Sequence, residues 1–223
     1  MLHKELLAIA EPALEKVLDN PFWSGLRDGT LPPEALLHFV RQDSEHLLPT
    51  YARALHRVGA AAPKDSQALL FGRSVVGSLE AATRLRARYE ELAEELELPA
   101  LGTEPTPVDP STHAYISSLT AASATSFAAG VGALLPMVWF NDKVSLDLVE
   151  RHKLDSRYDK WIEAYLPGHG YARTVQWFLD LADEVGENSS AGERDRLVEQ
   201  FTISSRYEWV FAQACWQQPA WPA

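Results

Sequence analysis

Residues 33–61 read PEALLHFVRQDSEHLLPTYARALHRVGAA, and this stretch decides the fold class. Its large apolar side chains recur at the spacing of one face of an α-helix, and they are Leu36, Phe39, Val40, Leu47 and Tyr51. The same spacing continues along most of the chain, whereas segments with strand-like alternation are hard to find. The sequence therefore predicts an all-α fold, built as a compact multi-helix bundle.

Helical spacing predicts helices at about residues 2–19, 33–61, 65–97, 111–123, 127–152, 156–165, 170–186 and 190–216. Pro32 and Pro33 suit a helix start, where a missing N–H is not needed, and Asp65 can cap the helix that follows it. Residues 98–110 hold four of the 14 prolines and predict a loop that is short for a linker between independent domains. One helical domain over residues 1–223 is therefore expected.

Composition and charge exclude several partners and compartments. The formal net charge of −11 repels nucleic-acid phosphates and anionic lipid surfaces, so neither nucleic acid nor a membrane is an expected partner. The longest apolar run, residues 127–140, has 14 residues, whereas a bilayer-spanning helix needs about 20. The only cysteine is Cys215, so no internal disulfide can form. Charges within residues 1–7 argue against a secretory signal, and a cytoplasmic location is expected.

A first motif joins a turn to a helix that carries a carboxylate. GTLPPE at residues 29–34 lies between FW at residues 22–23 and QDS at residues 42–44. Asp43 and His46 are three residues apart on the predicted helix and so share a face. The apolar neighbours of Asp43 place its carboxylate near the buried side, where an unpaired charge is costly and needs a partner. A surface or structurally paired aspartate fits this spacing equally well.

A second motif, ALLP at residues 133–136, places a proline inside a predicted helix. Such a proline removes one backbone hydrogen bond, frees a carbonyl near Gly132 and usually kinks the helix. Kinks of this kind occur at binding pockets, although a helix bent around a core is the commoner explanation. Met137 follows the proline directly.

A third motif, ISSRYEWVF at residues 203–211, lies in the last predicted helix. Glu208 shares one stripe of that helix with Phe211, Ala212 and Cys215, so a single carboxylate interrupts an apolar face. Desolvation raises the pKa of such a carboxyl group and suits it to proton transfer at neutral pH. The alternative is a buried structural glutamate held by a tyrosine or an arginine.

In order and spacing, the three motifs resemble the TenA/thiaminase II (TenA/THI-4) family, across nearly the whole chain. The resemblance implies a haem-oxygenase-like helical fold, a homotetramer and chemistry on thiamin-derived aminopyrimidines. In the family a nucleophilic cysteine follows the proline, whereas Met137 stands there in this chain and cannot form a thiolate. Cys215 is a conceivable replacement, but a lone helical cysteine is usually a small buried hydrophobe. Cleavage of intact thiamin is therefore not expected.

The resemblance also implies roles for individual side chains. Asp43 would hold the ring amino group and ring nitrogen, and Glu208 would act as the acid and base. The substrate-binding positions would be Tyr115, Tyr165, Phe211, His46, Met137 and Asn141. In the family, tyrosine usually occupies the positions of His46 and Asn141, so this pocket is altered on more than one side. Without the resemblance, Tyr115 and Tyr165 would more often be core residues.

The haem and di-iron relatives of this fold raise the question of a metal. A di-iron centre in a helical bundle needs two carboxylate-x-x-His pairs and two further glutamates. Asp43 and His46 supply one pair, and no second helix repeats it, because Thr83 and Arg84 stand three and four residues after Glu80. No metal or haem cofactor is therefore expected.

The expected function is a cofactor-free hydrolase of thiamin salvage, acting on an aminomethyl- or formylaminomethyl-pyrimidine by direct attack of water. A second hypothesis is a non-catalytic pyrimidine-binding or regulatory protein that lost catalysis with the cysteine. A metal or haem oxygenase on the same scaffold is a third. The acidic charge argues against direct contact with DNA.

Overall fold

A computed structural model describes residues 1–222, so the last residue of the predicted domain, residue 223, lies outside the described residues. The helices are α1 (Leu2–Leu18), α2 (Pro21–Asp28), α3 (Pro33–Gln42), α4 (Leu48–Ala60), α5 (Asp65–Leu96), α6 (Pro110–Thr125), α7 (Phe127–Arg151), α8 (Asp159–Tyr165), α9 (Tyr171–Asn188) and α10 (Ala191–Gln217). A π-helical turn, Asp43–Leu47, joins α3 to α4. No strand occurs in the described residues, which confirms the all-α class.

The short helix α2 was not among the helices that periodicity predicts. The side chain of Asn20 caps it by accepting a hydrogen bond of 2.9 Å from the Phe22 N–H, and Pro21 occupies its first position. It ends at Gly29, whose φ of 74° lies in the left-handed region that favours glycine. The helix between these caps has only eight residues, which is too short for a periodic pattern to stand out.

Two further predictions about helices are corrected by the structure. The helix predicted over residues 33–61 is interrupted by the π turn, in which the Leu48 N–H donates to the carbonyl of Asp43, five residues back. Asp65 is the first residue of α5 and does not cap it, because Lys64 holds the cap position.

Helix α7 lies in the middle of the bundle and packs chiefly against α10. Every residue from Ala128 to Pro136 is buried, so the apolar run is a core segment. A Cβ atom added to Gly132 would clash with the carbonyl oxygen of Leu197, which shows how closely the two helices approach. Met137 and Asn141 of α7 line the same cavity as Glu208 of α10.

None of the helices in residues 1–222 combines the length and the hydropathy needed to cross a membrane.

Candidate active site

A cavity of about 440 Å³ lies between helices α1 to α5, the π turn and helices α7 to α10. Its aromatic lining includes Trp23, Phe39, Tyr51, Tyr165, Tyr171 and Phe211. Asp43 of the π turn and Glu208 of α10 both line it, although 165 residues separate them in the sequence. Its more exposed lining comes from α5 and α9, and includes Arg73, Glu80, Arg84 and Trp177. The cavity is therefore lined by aromatic side chains and two buried carboxylates, and its exposed side carries charged residues.

The π turn determines which side chains of its segment reach the cavity. A π turn holds more residues than an α turn. The residue three positions after Asp43 therefore lies further from Asp43 around the helix axis than it would in an α-helix. Leu47, four positions on, lines the cavity together with Asp43. His46 does not line it, and its Nε2 instead donates to the carbonyl oxygen of Thr106 at 2.8 Å. The His46 side chain is therefore turned toward Thr106.

The carboxylate of Glu208 accepts a hydrogen bond from Tyr115. The Tyr115 hydroxyl donates to Oε1 of Glu208 at 2.5 Å, and the tyrosine ring stacks on Tyr207 with 5.2 Å between centroids. Tyr115 is only 1% exposed and does not line the cavity. Tyr115 therefore contacts the carboxylate that faces the cavity.

The two carboxylates have raised proton affinity because protein surrounds them. Burial, followed by the negative charge of Glu208, raises the pKa of Asp43 to about 7. Burial also raises the pKa of Glu208 to about 7, and the hydrogen bond from Tyr115 opposes that rise. Among residues 1–222, no cation contributes to either shift. At neutral pH each group can therefore exchange a proton with a molecule in the cavity.

Residues 9–218 match the model of the TENA/THI-4/PQQC family. The chain belongs to this family. The aminopyrimidine aminohydrolase of Bacillus subtilis (strain 168) is 32% identical over 205 residues, which cover 91% of this chain and 84% of that protein.

Solved structures agree with the family assignment. A TenA homologue protein from P. horikoshii OT3 has a TM-score of 0.74 at 26% identity, over 97% of this chain and 99% of that one. A domain with a haem-oxygenase-like fold from Shewanella denitrificans OS217 has a TM-score of 0.61 at 16% identity, over 98% of this chain and 93% of that one. The haem-oxygenase-like fold predicted from the sequence is confirmed.

The wall of this TenA-family cavity offers hydrogen-bonding groups on the side of α7 and α8. The side-chain amide of Asn141 donates to the hydroxyl oxygen of Tyr165 at 3.0 Å. This bond does not use the hydroxyl proton of Tyr165, which can therefore be donated to a ligand. Burial holds the pKa of Tyr165 well above its usual range, so the hydroxyl stays neutral. Tyr165 and Asn141 both line the cavity.

Phe211 and Met137 also line the cavity. The ring of Phe211 packs 5.7 Å from that of Phe39, measured between centroids. Met137 presents a thioether, which is a weak acceptor and cannot become a thiolate nucleophile.

Two tyrosines of the cavity were not among the predicted site residues. The hydroxyls of Tyr51 and Tyr171 donate to carbonyls of α7 on either side of Pro136, at 3.0 and 3.2 Å. Tyr51 lies eight residues after Asp43, so helical spacing alone could have found it. Tyr171 begins α9 after a loop, and no periodic pattern marks it.

Cys215 is fully buried in α10 and does not line the cavity. Burial holds the pKa of its thiol well above the usual range, and the charges of Asp43 and Asp109 raise it further. The thiol therefore has neither the access nor the thiolate character of a displaced nucleophile.

Proposed function

We propose that this protein is a hydrolase that acts on an aminopyrimidine in the salvage of thiamin breakdown products. The observation that carries the proposal is the pair of buried carboxylates, Asp43 and Glu208, that face one aromatic cavity. The arginines of its lining, Arg73 and Arg84, are exposed and contribute to neither pKa shift. Maintaining two such groups is costly for a fold, which points to their use in binding and proton transfer. The name of the Bacillus subtilis relative supports the same class of substrate.

Asp43 is suited to recognise the edge of the pyrimidine ring. With a pKa of about 7, its protonated form is well populated at neutral pH. A protonated carboxyl group donates one hydrogen bond and accepts another, which matches a ring nitrogen beside an amino group. Phe211 would stack on the ring face, and Tyr165 would donate to a second polar atom of the substrate.

Glu208 would move the proton during hydrolysis of an aminomethyl substrate. The oxygen of water forms a bond to the exocyclic methylene carbon as the bond from that carbon to nitrogen breaks. Protonated Glu208 gives its proton to the departing nitrogen, which leaves as ammonia, and the carboxylate then takes the proton that water loses. For a formylaminomethyl substrate, the oxygen of water bonds to the formyl carbon and the bond from that carbon to nitrogen breaks. Glu208 gives its proton to that nitrogen, and the products are formate and the aminomethyl pyrimidine. General acid and base help of this kind is worth about 10²–10⁴-fold.

Met137 limits the range of substrates in this scheme. No covalent adduct can form on a thioether at this position, so catalysis depends on water alone. We therefore expect intact thiamin to be cleaved far more slowly than the small aminopyrimidines.

The decisive experiment is an assay for ammonia and formate release from a panel of thiamin breakdown products and intact thiamin. The proposal predicts release by the wild type, loss in Glu208→Gln and full activity in the matched control Glu199→Gln. Glu199 lies on the same helix and is exposed. Tight binding of an aminopyrimidine without release would instead favour a binding protein. Neither binding nor release would overturn the assignment of the substrate class.

We also propose that the protein works as a homotetramer in the cytoplasm. Exposed apolar side chains on two helices support association: Leu69, Val76 and Leu79 on α5, and Leu146 and Val149 on α7. Light scattering of the purified protein tests the assembly. A mass of four chains is expected, and a monomer at micromolar concentration would contradict it.

A further inference from the structure

Residues 98–109, called the strap below, include a stretch that lies beside the turn that carries Asp43. The strap links α5 to α6 and has no helix or strand of its own. Its prolines at 99, 105 and 107 remove backbone donors that could otherwise form regular structure. Side chains from the rest of the chain therefore have to hold it in place.

Gln42, the residue before Asp43, holds the strap at two points. Its amide nitrogen donates to the carbonyl of Pro107 at 2.9 Å, and its amide oxygen accepts from the N–H of Asp109 at 3.1 Å. One side chain thus satisfies a backbone acceptor and a backbone donor two residues apart. Gln42 is only 1% exposed, so these bonds are shielded from water.

The residues after Asp43 hold the strap in the same manner. Oε2 of Glu45 accepts from the N–H of Thr106 at 3.0 Å, and Nε2 of His46 donates to the carbonyl of Thr106 at 2.8 Å. Because a carbonyl can only accept, Nε2 of His46 carries a proton in this contact. The other carboxylate oxygen of Glu45 is occupied by Arg86 of α5 at 2.5 Å.

The far edge of the strap is tied to the C-terminal segment. The indole N–H of Trp221 donates to the carbonyl of Val108 at 2.9 Å, and its ring packs against His113. The strap therefore bridges the segment that carries Asp43 and the segment that follows α10, the helix that carries Glu208.

These contacts have a consequence for the π turn itself. A π turn is a rare geometry that usually interrupts an α-helix for a single turn, and it needs support to persist. In the described chain, the residues on both sides of Asp43 bind the same short stretch of strap, 106–109. Relaxation of residues 43–47 to α-helical geometry would rotate His46 relative to Asp43. Either His46 would lose its hydrogen bond to Thr106 or Asp43 would leave the cavity.

We propose that His46, together with Glu45, is a positioning residue. The two side chains bind the backbone of Thr106 and thereby fix the π turn that points Asp43 into the cavity. The contacts of Glu45 and His46 with Thr106 are called the clamp below. The importance of Asp43 in turnover rests on the proposed function, whereas the geometry of the clamp does not depend on it. His46 thus acts through Asp43 and touches no substrate.

The titration of Asp43 reports its position independently of turnover. The titratable groups that face Asp43 are Glu208 and Cys215 from α10 and Tyr165 from α8, and none of them belongs to the clamp. If Asp43 leaves the cavity, it regains solvent and moves away from Glu208. Its pKa should then fall from about 7 toward its ordinary range.

The test compares His46→Leu, which removes the donor, with His46→Gln, whose amide N–H can still reach a carbonyl. Carbon-13 carboxyl NMR without ligand follows Asp43, and kcat and KM are measured with an aminopyrimidine. In His46→Leu we expect the pKa of Asp43 to fall and kcat to drop about tenfold or more, since a misplacement of about 1 Å can cost about 100-fold. His46→Gln should restore both. His56→Leu, an exposed histidine of α4, is the matched control and should change neither.

An unchanged titration of Asp43 in His46→Leu would overturn the proposal, and so would a shift that His46→Gln fails to reverse. If His46→Leu does not fold, Glu45→Gln takes its place, because it weakens the second half of the clamp with little change in size. If the wild type turns over no aminopyrimidine, the proposed function fails, while the NMR titration still decides this inference.

Discussion

Two buried aspartates of this bundle have opposite surroundings. Asp43 is 8% exposed and Asp147 of α7 is 9% exposed, so burial does not distinguish them. Asp147 accepts hydrogen bonds from the guanidinium groups of Arg27 in α2 and Arg151 in α7. In the described chain, the main charged neighbour of Asp43 is another carboxylate, that of Glu208.

The contrast shows that burial of a charge is not by itself a sign of function. The Asp147 cluster ties α2 to α7, and its charges compensate each other, so it serves the fold. The Asp43 and Glu208 pair has no such compensation and lines a cavity, so a substrate is the natural partner for its hydrogen bonds. Substitutions in the two clusters should therefore fail in different ways.

The largest effect is expected for Glu208→Gln. The amide keeps the size of the side chain but cannot transfer a proton, so kcat should fall by about 10²–10⁴-fold with little change in affinity. Steady-state kinetics and calorimetric binding of an aminopyrimidine measure the two quantities separately. Turnover within tenfold of the wild type would show that Glu208 is not the acid and base.

Asp147→Asn and Asp43→Asn should have opposite effects on stability. Asp147→Asn leaves the buried Arg27 without a full counter-charge and should lower the free energy of unfolding by about 3 kcal/mol. Asp43→Asn removes an uncompensated charge, so at pH 8 the free energy of unfolding should stay the same or rise, while binding and turnover both weaken. Urea unfolding measures both variants, with the exposed Asp195→Asn of α10 as the control. Equal destabilisation by the two variants would remove the distinction between the clusters.

The pair should also make stability depend on pH. Both pKa values are raised on folding, from 3.8 and 4.5 to about 7, so the folded state binds more protons than the unfolded state between about pH 4 and 7. Their contribution to stability is therefore present at the acidic end of that window and is lost as the pH rises through 7. Relative to the double variant Asp43→Asn/Glu208→Gln, the wild type should lose at least about 1.4 kcal/mol, the value of one pKa unit. A difference between the two proteins that is constant from pH 4.5 to 8 would contradict these shifts.

The smallest effect is expected for Cys215→Ser. The thiol is buried and does not line the cavity, so affinity and turnover should remain within about tenfold of the wild type, or about 1.4 kcal/mol. The same kinetic assay applies. A larger loss of turnover at unchanged stability would restore Cys215 as a candidate nucleophile.

Much of the fold follows from the sequence because amphipathic periodicity is strong in the long helices. The π turn could not be predicted in this way, since a single added residue in a turn hardly changes the apolar pattern around it. Its effect is local but decides the orientation of His46, which the sequence places on the face of Asp43 and the structure turns toward the strap.

The candidate site was predicted where a polar residue interrupts an apolar helical face, as Glu208 does. Long-range contacts were not predictable from spacing: Tyr115 and Glu208 are 93 residues apart, and only the packing of α6 against α10 joins them. Tyr171 was missed for the same reason, because its role depends on where α9 begins against α7.

A crystal structure with the hydroxymethyl aminopyrimidine product tests the role of the uncompensated pair. The ring amino group and its neighbouring nitrogen should lie on the carboxyl group of Asp43, the ring should stack on Phe211, and the hydroxymethyl oxygen should lie within hydrogen-bond distance of Glu208. A product molecule bound away from this cavity, or a ring whose amino group faces neither carboxylate, would contradict the assignment of these residues.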